Sequence, residues 1–297
     1  MGLSSAMFAG VSGLQSNAQA ISVIGNNIAN SNTAGYKSSS TLFSDLLSQN
    51  IGNNSQVGTG EKVQIIRTNF TEGSLTNSTN VTDVAIQGNS FFALAAPGTA
   101  TATATNQNAA YLTRAGAFNV DTAYHLVNPD GYEALQAAGG TPIKFAYTTG
   151  AAAGDFAKVT AIDSKGVITY QDVLGNSYFY NGANAFLAAS TANYALLGPG
   201  NNIAVVNPTN PGGLTKIGGN LYQSTGASGV PAGGFTAAAN TANGVSETLL
   251  SNYLESSNVD MATELVNMLT TQRAYSANSK TITTADQMTQ EVLGLVR

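Results

Sequence analysis

The stretch from 261 to 296 reads MATELVNMLTTQRAYSANSKTITTADQMTQEVLGLV, and it decides the fold. Between Ser246 and Val296 there is no proline, and the one glycine is Gly294. Because proline and glycine are the residues that most disfavour helix interiors, a long helix is predicted here, with Asn258-Val259-Asp260 as a second cap or a bend. Apolar residues recur at intervals of four and three, and their phase shifts after Ile282. The members of this stripe that we assign to an interface are Met261, Leu265, Met268, Tyr275, Ile282, Met288, Val292 and Leu295.

The N-terminal end carries a second stripe of the same kind. Residues 4–29 are predicted to form a helix that ends at Asn30 and Gly35. Its apolar residues follow a heptad spacing in which Gly25 stands at one missing position. Two terminal helices of one chain can pair with each other and leave their other faces for neighbouring copies. The interface residues assigned to this helix are Met7, Val11, Leu14, Ile21 and Ile28.

The middle of the chain has the pattern of a β structure. All seven prolines lie between Pro97 and Pro231, which disfavours long helices there. Short apolar runs alternate with turn residues, and they include the predicted strands Val63–Ile66 and Val81–Ile86. Two hairpins are predicted, from Phe118–Val120 with Leu126–Val127 and from Val159–Ile162 with Val167–Tyr170.

These patterns predict an α+β protein in three segments. Residues 1–60 hold the N-terminal helix and a linker, and residues 61–230 form a central, mostly antiparallel β domain. Residues 231–297 hold a second linker and the C-terminal helix. The two terminal segments are expected to form one domain through coiled-coil packing of their helices.

Composition excludes several classes of function. The chain has 297 residues, of which 43% are hydrophobic and 9% charged, with a net charge of -5, so it lacks the basic surface that nucleic acid requires. Cysteine is absent, which removes thiolate chemistry, and the single histidine, His125, excludes a histidine-rich metal site and disfavours a Ser-His-Asp triad. The acidic residues of the middle segment stand mostly beside turns, where they favour local hydrogen bonds. We therefore expect no enzyme activity, no metal and no cofactor.

The sequence also gives no sign of a membrane or secretory segment. The first lysine is Lys37, so the start lacks the positive region of a secretory signal. No apolar run approaches the ~18 residues of a membrane span. Membrane insertion is not expected, and taken alone these features indicate a cytoplasmic protein, unless export uses another machine.

Motifs along the whole chain resemble the bacterial flagellar rod and hook proteins. The residues of the first motif, NNIANSNTAGYK at 26–37, that carry the resemblance most clearly are Asn26, Asn27, Asn30, Gly35 and Tyr36. The other similar segments are YLESSNVD at 253–260, ELVNM at 264–268, QRAY at 272–275, TRAGAF at 113–118, NPGGL at 210–214 and GGNLY at 218–222.

This resemblance implies a subunit of a hollow helical tube. The terminal helices would form one inner domain around a channel, with the β domain outside. It also implies export by the flagellar type III apparatus, a place in the hook or basal body, and an extracellular location after export. The implied partners are further copies of the chain, the rod, the hook cap and the hook–filament junction proteins.

Within the family, the sequence is interpreted first as a hook protein, the flexible universal joint that transmits torque from rod to filament. The opening residues 7–14 look more like a hook protein, and the segment between Leu47 and Val57 is short. A length of 297 residues is short for a hook protein, and because no second β domain is evident between Thr141 and Asn207, the chain is interpreted as a minimal hook protein. The alternative is the distal rod protein, a rigid drive shaft. A third possibility, a secreted β-rich adhesin or enzyme with coiled-coil ends, is disfavoured by the end-to-end resemblance.

Overall fold

The protein folds into two compact units, as a computed structural model shows. It describes the whole chain except residues 1, 53–54, 99–106, 148–153, 183–186, 195–200, 231–232, 243, 246 and 296–297. One unit, here called the helical unit, comprises Met1–Asn32, Lys37–Asn69 and Val259–Arg297. The other, called the β unit, comprises Thr33–Tyr36 and Phe70–Asn258. The three-segment division with boundaries at residues 60 and 230, which is based on the sequence, stays a prediction.

Long helices stand at the two ends of the chain and strands fill the middle, which confirms the predicted α+β class. The helices are α1 (Gly2–Ala29), α2 (Thr191–Tyr194), α3 (Ala237–Asn240) and α4 (Met261–Leu295). The first ten strands are β1 (Ser39–Asp45), β2 (Gln49–Gly52), β3 (Ser55–Val57), β4 (Glu61–Thr68), β5 (Leu75–Asn77), β6 (Val84–Gln87), β7 (Phe91–Ala95), β8 (Tyr111–Thr113), β9 (Asn119–Val120) and β10 (Leu126–Val127). The others are β11 (Glu133–Ala134), β12 (Phe156–Ile162), β13 (Ile168–Asp172), β14 (Ser177–Phe179), β15 (Leu187–Ala188), β16 (Val205–Val206), β17 (Thr215–Gly218), β18 (Leu221–Gln223), β19 (Thr248–Ser251) and β20 (Tyr253–Glu255).

The helical unit combines α1 and α4 with a two-stranded ribbon. Strands β1 and β4 pair antiparallel, with a bulge between Leu42 and Phe43, and β2 and β3 form a hairpin between them in sequence. Helix α1 contacts both α4 and the ribbon. The predicted strand Val63–Ile66 is confirmed as part of β4. Both ends of the chain therefore contribute to one unit.

The β unit is antiparallel throughout its described strand pairs. Its main sheet has the order β17-β18-β8-β7-β11-β10-β9, and β16 also pairs with β7. A second sheet has the order β12-β13-β14-β15, and two further pairs join β19 to β6 and β20 to β5. The core is aromatic and aliphatic, with Phe92 and Phe118 in edge-to-face contact at 5.2 Å between ring centroids. The β12–β15 sheet lies within this same compact unit.

Both predicted hairpins are confirmed. Strands β9 and β10 pair across a turn in which Tyr124 has a φ of 67°, and β12 and β13 pair across the turn at 163–166. The predicted strand Val81–Ile86 is shorter than expected, since β6 begins at Val84. The residues before it form a turn in which Asp83 accepts a hydrogen bond from the Asn80 side chain.

Helix α4 begins at Met261, later in the chain than the sequence predicts. The prediction of a helix is therefore wrong for the two strands that precede it. Thr248–Ser251 forms β19, which pairs with β6, and Tyr253–Glu255 forms β20, which pairs with β5. Asn252 joins the two strands with a φ of 64°, a left-handed conformation that asparagine tolerates well. The absence of proline and glycine permits a helix here, but pairing with strands far away in sequence prevails over it.

Asp260 caps the start of α4, which is one of the two alternatives, a cap or a bend, that the sequence left open. Its Oδ2 accepts a hydrogen bond from the Thr263 hydroxyl at 2.7 Å, and its Oδ1 accepts one from the Ala262 N–H at 3.0 Å. These bonds, that of Thr263 foremost, lower the pKa of Asp260 below its ordinary value of 3.8. A lowered carboxyl pKa stabilises the fold above the unfolded-state pKa, and this contribution is lost as the pH falls through the folded-state pKa.

We therefore expect the first turn of α4 to fray on acidification below about pH 4. Asp260→Asn keeps a good capping side chain without a titrating group, so it should show no such step. Amide exchange at Ala262, followed from pH 6 to pH 2.5 in both proteins, measures the difference. Identical pH profiles in the two proteins would contradict the assignment of the cap.

No helix in the described part of the chain is both long and apolar enough to cross a membrane.

Candidate assembly interface

The buried face of α1 consists mainly of small and polar residues. A Cβ atom placed on Gly10 would lie 2.8 Å from Ile282 Cγ1, and one on Gly13 would lie 2.3 Å from Asn278 Nδ2. The two helices thus approach closely at both glycines, where a larger residue would require the facing side chains of Ile282 and Asn278 to shift. The buried residues recur mostly at intervals of three and four, and those with a described burial are Gly10, Gly13, Ser16, Asn17, Ala20, Ile24 and Asn27.

Asn27 ties three elements of the helical unit together. Its side-chain Nδ2 donates to the Ser39 carbonyl at 2.8 Å and to Glu264 Oε1 at 2.9 Å, and its Oδ1 accepts from the Ser39 N–H at 2.9 Å. Asn27 therefore joins the end of α1 to the start of β1 and to the first turn of α4. Since Gly10 meets Ile282 while Asn27 meets Glu264, the two helices run antiparallel.

Asn27→Ala should destabilise the helical unit by about 2 kcal/mol, because it removes the three hydrogen bonds by which the buried Asn27 side chain joins Ser39 and Glu264. The neighbouring Asn26→Ala is the matched control, since Asn26 is exposed and bonds only within the end of its own helix, to Asn30. Chemical denaturation followed by the helical circular dichroism signal measures both. Equal stability of the two variants would contradict the role of Asn27.

The predicted interface residues flank this buried face. On α1, Val11 is 50% exposed. The half-buried members on that helix are Met7, Leu14, Ile21 and Ile28. On α4, Met268 and Ile282 are half-buried and Leu265 is 50% exposed. The other exposed members on α4 are Met261, Tyr275, Met288 and Val292, while the Leu295 side chain lies outside the described residues.

The apolar stripe of α1 thus lies one position after the face that is buried. Leu14 and Ile21, for example, follow Gly13 and Ala20. Contact between the two helices uses mainly the small residues of α1, and the larger apolar residues of its stripe remain partly open to solvent. Exposed apolar patches on a folded unit indicate a protein interface. The assignment of the stripe to contacts between copies stays a prediction.

Further apolar residues of the helical unit are exposed that the sequence pattern did not assign. They lie outside the heptad positions, on the adjoining helix faces and on the β1–β4 ribbon. On the helices they are Phe8, Val266, Leu269 and Leu293, and on the ribbon they are Leu42, Phe43, Ile65 and Ile66. A wider apolar arc, rather than a heptad seam, is the signal that would have found the helical ones.

The glycines of the motifs at 26–37 and 113–118 fill positions that a larger residue could not occupy. Gly35 has a φ of 69°, and a Cβ on it would lie 2.4 Å from the Ala115 backbone nitrogen. A Cβ on Gly116 would lie 1.7 Å from the Val84 carbonyl oxygen. Tyr36 is buried, and the Lys216 ammonium lies 5.0 Å from its ring centroid. In the β unit these motifs are therefore explained by packing.

The side chains considered above for catalysis or metal binding make local contacts within the β unit. His125 Nδ1 lies 3.2 Å from Glu133 Oε1, beside the β9–β10 hairpin. Asp121 accepts backbone hydrogen bonds within that hairpin turn. Among the described residues, no cluster of three metal-ligating side chains occurs.

Comparison with known proteins agrees with this arrangement at both ends of the chain. The family described as "Flagella basal body rod protein" matches residues 7–37, and the family described as "Flagellar basal body rod FlgEFG protein C-terminal" matches residues 250–295. The flagellar basal-body rod protein FlgG of Bacillus subtilis (strain 168) is 32% identical to the chain in an alignment that covers 98% of each protein. The chain belongs to the flagellar rod and hook protein family.

Two other relatives show the breadth of this rod and hook family. FlgG of Agrobacterium fabrum is 32% identical over 90% of each protein. The flagellar hook protein FlgE of Borreliella burgdorferi is 39% identical over 135 residues, which cover 41% of the chain and 28% of that protein. The family is one of structural flagellar proteins and not of enzymes, so the chain is a structural subunit of the flagellum. The findings support a rod or hook subunit and not the hook specifically.

Proposed function

We propose that the chain is the distal rod subunit of the flagellar basal body and that it polymerises with copies of itself into a rigid tube. The observation that carries this proposal is the alignment with the Bacillus subtilis rod protein over 98% of both chains. The hook relative, in contrast, matches over only 28% of its own length. The chain therefore aligns with nearly the whole length of a rod protein, but with only a minor part of this hook protein.

The exposed apolar face of the helical unit supports polymerisation. Leu265 and Val292 are 50% and 58% exposed on one helix, about 40 Å apart at ~1.5 Å per residue. Covering such residues with a neighbouring copy contributes about 25 cal/mol for each Å² of apolar surface removed from water. A contact between two different patches generates a helical filament when the rotation that it imposes does not close into a ring. The thirteen interface residues assigned from the sequence belong to this proposal.

The proposal includes the partners and the route that the family resemblance implies. The chain would contact the preceding rod proteins at one end of the tube and hook proteins at the other, and it would reach its place through the flagellar type III export apparatus. Its location would then lie outside the cytoplasmic membrane. These partners follow from a place in the rod.

The hook is the second candidate, and two observations favour it. The match to the hook protein of Borreliella burgdorferi, although partial, has the higher identity, at 39%. The segment between Leu47 and Gly60 is short, and the elements found among its described residues are β2 and β3. A hook subunit would form a tube that bends as it rotates and would contact the hook cap and the hook–filament junction proteins.

Electron cryo-tomography of flagellar basal bodies from a strain lacking the gene distinguishes the two. Loss of a distal rod subunit should leave a truncated rod and no hook, and the reintroduced gene should restore both. A complete rod that ends without a hook would overturn the proposal in favour of the hook. Purified polymers provide an independent measurement, since rod tubes should be straight and stiff whereas hook tubes should curve.

A further inference from the structure

The chain passes between its two units four times, and all four crossings lie in three short segments. The β unit begins and ends at 33–36, at Phe70 and at Asn258. The covalent chain is therefore the minimum link that carries force from one unit to the other. The contacts of these three segments within the β unit determine how firmly the connecting chain is anchored there.

Backbone hydrogen bonds join the three segments inside the β unit. The Gly35 N–H donates to the Glu255 carbonyl at 2.7 Å, and the Asn258 N–H donates to the Tyr36 carbonyl at 3.4 Å. The Ser256 N–H donates to the Ser74 carbonyl at 2.8 Å. These bonds connect 33–36 to 255–258, and 255–258 to 70–74.

Side chains add a second set of bonds between the same segments. The Asn258 side-chain Nδ2 donates to the Thr71 carbonyl at 3.1 Å and to the Thr71 hydroxyl at 3.0 Å. Glu255 Oε1 accepts from the Gly73 N–H at 2.9 Å. A Cβ on Gly73 would lie 2.0 Å from the Ser256 carbonyl oxygen, so the two segments are in close contact.

A buried ion pair lies at the centre of these bonds. Glu255 Oε2 is 3.4 Å from Arg114 Nη1, and both side chains are at most 1% exposed. Arg114 also donates to the carbonyls of Ile86 and Gly88, and its guanidinium lies over the Phe91 ring at 5.1 Å from the centroid. Burial lowers the pKa of Arg114, and the charge of Glu255 opposes this shift.

A gain in stability is not by itself an explanation for this buried ion pair. Arg114 Nε is buried with no hydrogen-bond partner among the described residues. Burying two charges carries a desolvation cost that their attraction often fails to exceed, and apolar replacement of such pairs is frequently neutral or stabilising. The pair is better explained by the geometry it imposes, because a glutamate held by Arg114 presents one oxygen to Gly73 and its own backbone carbonyl to Gly35.

We propose that Glu255, fixed by Arg114, forms a clamp that holds together the three segments through which the chain enters and leaves the β unit. The clamp is a positioning device that anchors the link between the units when torque is applied. It acts within a single subunit and does not depend on whether the tube is rod or hook.

Hydrogen exchange of the full-length chain, kept monomeric by dilution, tests the clamp. The reporters are the Gly35 and Ser256 amides, whose acceptors are backbone carbonyls that no side-chain substitution removes. The variants are Glu255→Gln and the double variant Arg114→Met with Glu255→Leu, which leaves no buried charge. Glu133→Gln is the control, because Glu133 is a buried glutamate of the same unit that contacts His125 and Gly98.

In both variants the Gly35 and Ser256 amides should exchange about tenfold faster or more. The Leu135 amide, which donates to Ala93 in the main sheet at 3.0 Å, should keep its rate, as should all three amides in the control. If Glu255→Gln does not fold, the double variant alone decides. Unchanged rates at Gly35 and Ser256 in a folded variant, or an equal increase at Leu135, would overturn the clamp.

Discussion

Leu265→Asp should abolish assembly of the chain into tubes while both units remain folded. Leu265 is 50% exposed on α4, so the lone subunit accepts a carboxylate there at little cost. In a tube the same position would be covered by a neighbouring copy, and a charge buried without a partner costs several kcal/mol. The concentration needed for assembly should rise at least about a hundredfold, since ~2.7 kcal/mol corresponds to that factor.

Sedimentation of the purified protein at increasing concentration measures this effect, with circular dichroism as the check on folding. Leu174→Asp is the matched control, because Leu174 is 61% exposed in the turn between β13 and β14 of the β unit. It receives the same chemical change and should pellet like the unmodified protein. Ile21→Asp, on the half-buried flank of α1, should block assembly as Leu265→Asp does. Normal pelleting of both helical variants would contradict the assigned interface.

Gly116→Ala should unfold or severely destabilise the β unit. The new Cβ would lie 1.7 Å from the Val84 carbonyl oxygen and 2.8 Å from Phe92 Cε2. Both neighbours are buried, and the Gly116 carbonyl accepts the Val84 N–H at 2.9 Å, so the backbones cannot separate without loss of that bond. We expect a loss of about 3 kcal/mol or more, which in a unit of this size lowers the melting temperature by about 6–12 °C.

Gly226→Ala gives the comparison for this substitution. Gly226 lies in the same unit, and no atom lies within 4 Å of the position that its Cβ would take. Alanine there should change stability by no more than about 0.5 kcal/mol. Differential scanning calorimetry of the two variants against the unmodified chain separates them. A melting temperature for Gly116→Ala close to that of Gly226→Ala would contradict the packing described around the TRAGAF motif.

The parts of the fold that local sequence specifies were predictable. Helix α1 and the hairpins at β9–β10 and β12–β13 follow from periodicity, turn residues and short separation in sequence. Strands β19 and β20 were not predictable in the same way, because their partners β6 and β5 lie more than 160 residues earlier. Only the pairing makes these segments strands, and nothing in their own composition forbids a helix.

The candidate site was predictable in its elements but not in its contacts. Apolar spacing located the stripe that contains Leu14 and Ile21, yet the closest packing of α1 and α4 uses Gly10 and Gly13. Glycine contributes no apolar signal, and its role depends on the distance to another helix. The ion pair between Glu255 and Arg114 was not predicted for a related reason, because the sequence does not show whether a charged side chain is buried.

The contact between Asn27 and Glu264 joins residues 237 positions apart, and it has a consequence for synthesis. A ribosome releases α1 first and α4 last, so these two helices cannot pack against each other until translation is almost complete. The β unit, whose sequence lies between them, can fold before that moment. Newly made subunits therefore carry an unpaired first helix for most of their synthesis, which is the interval in which a holding factor could bind it.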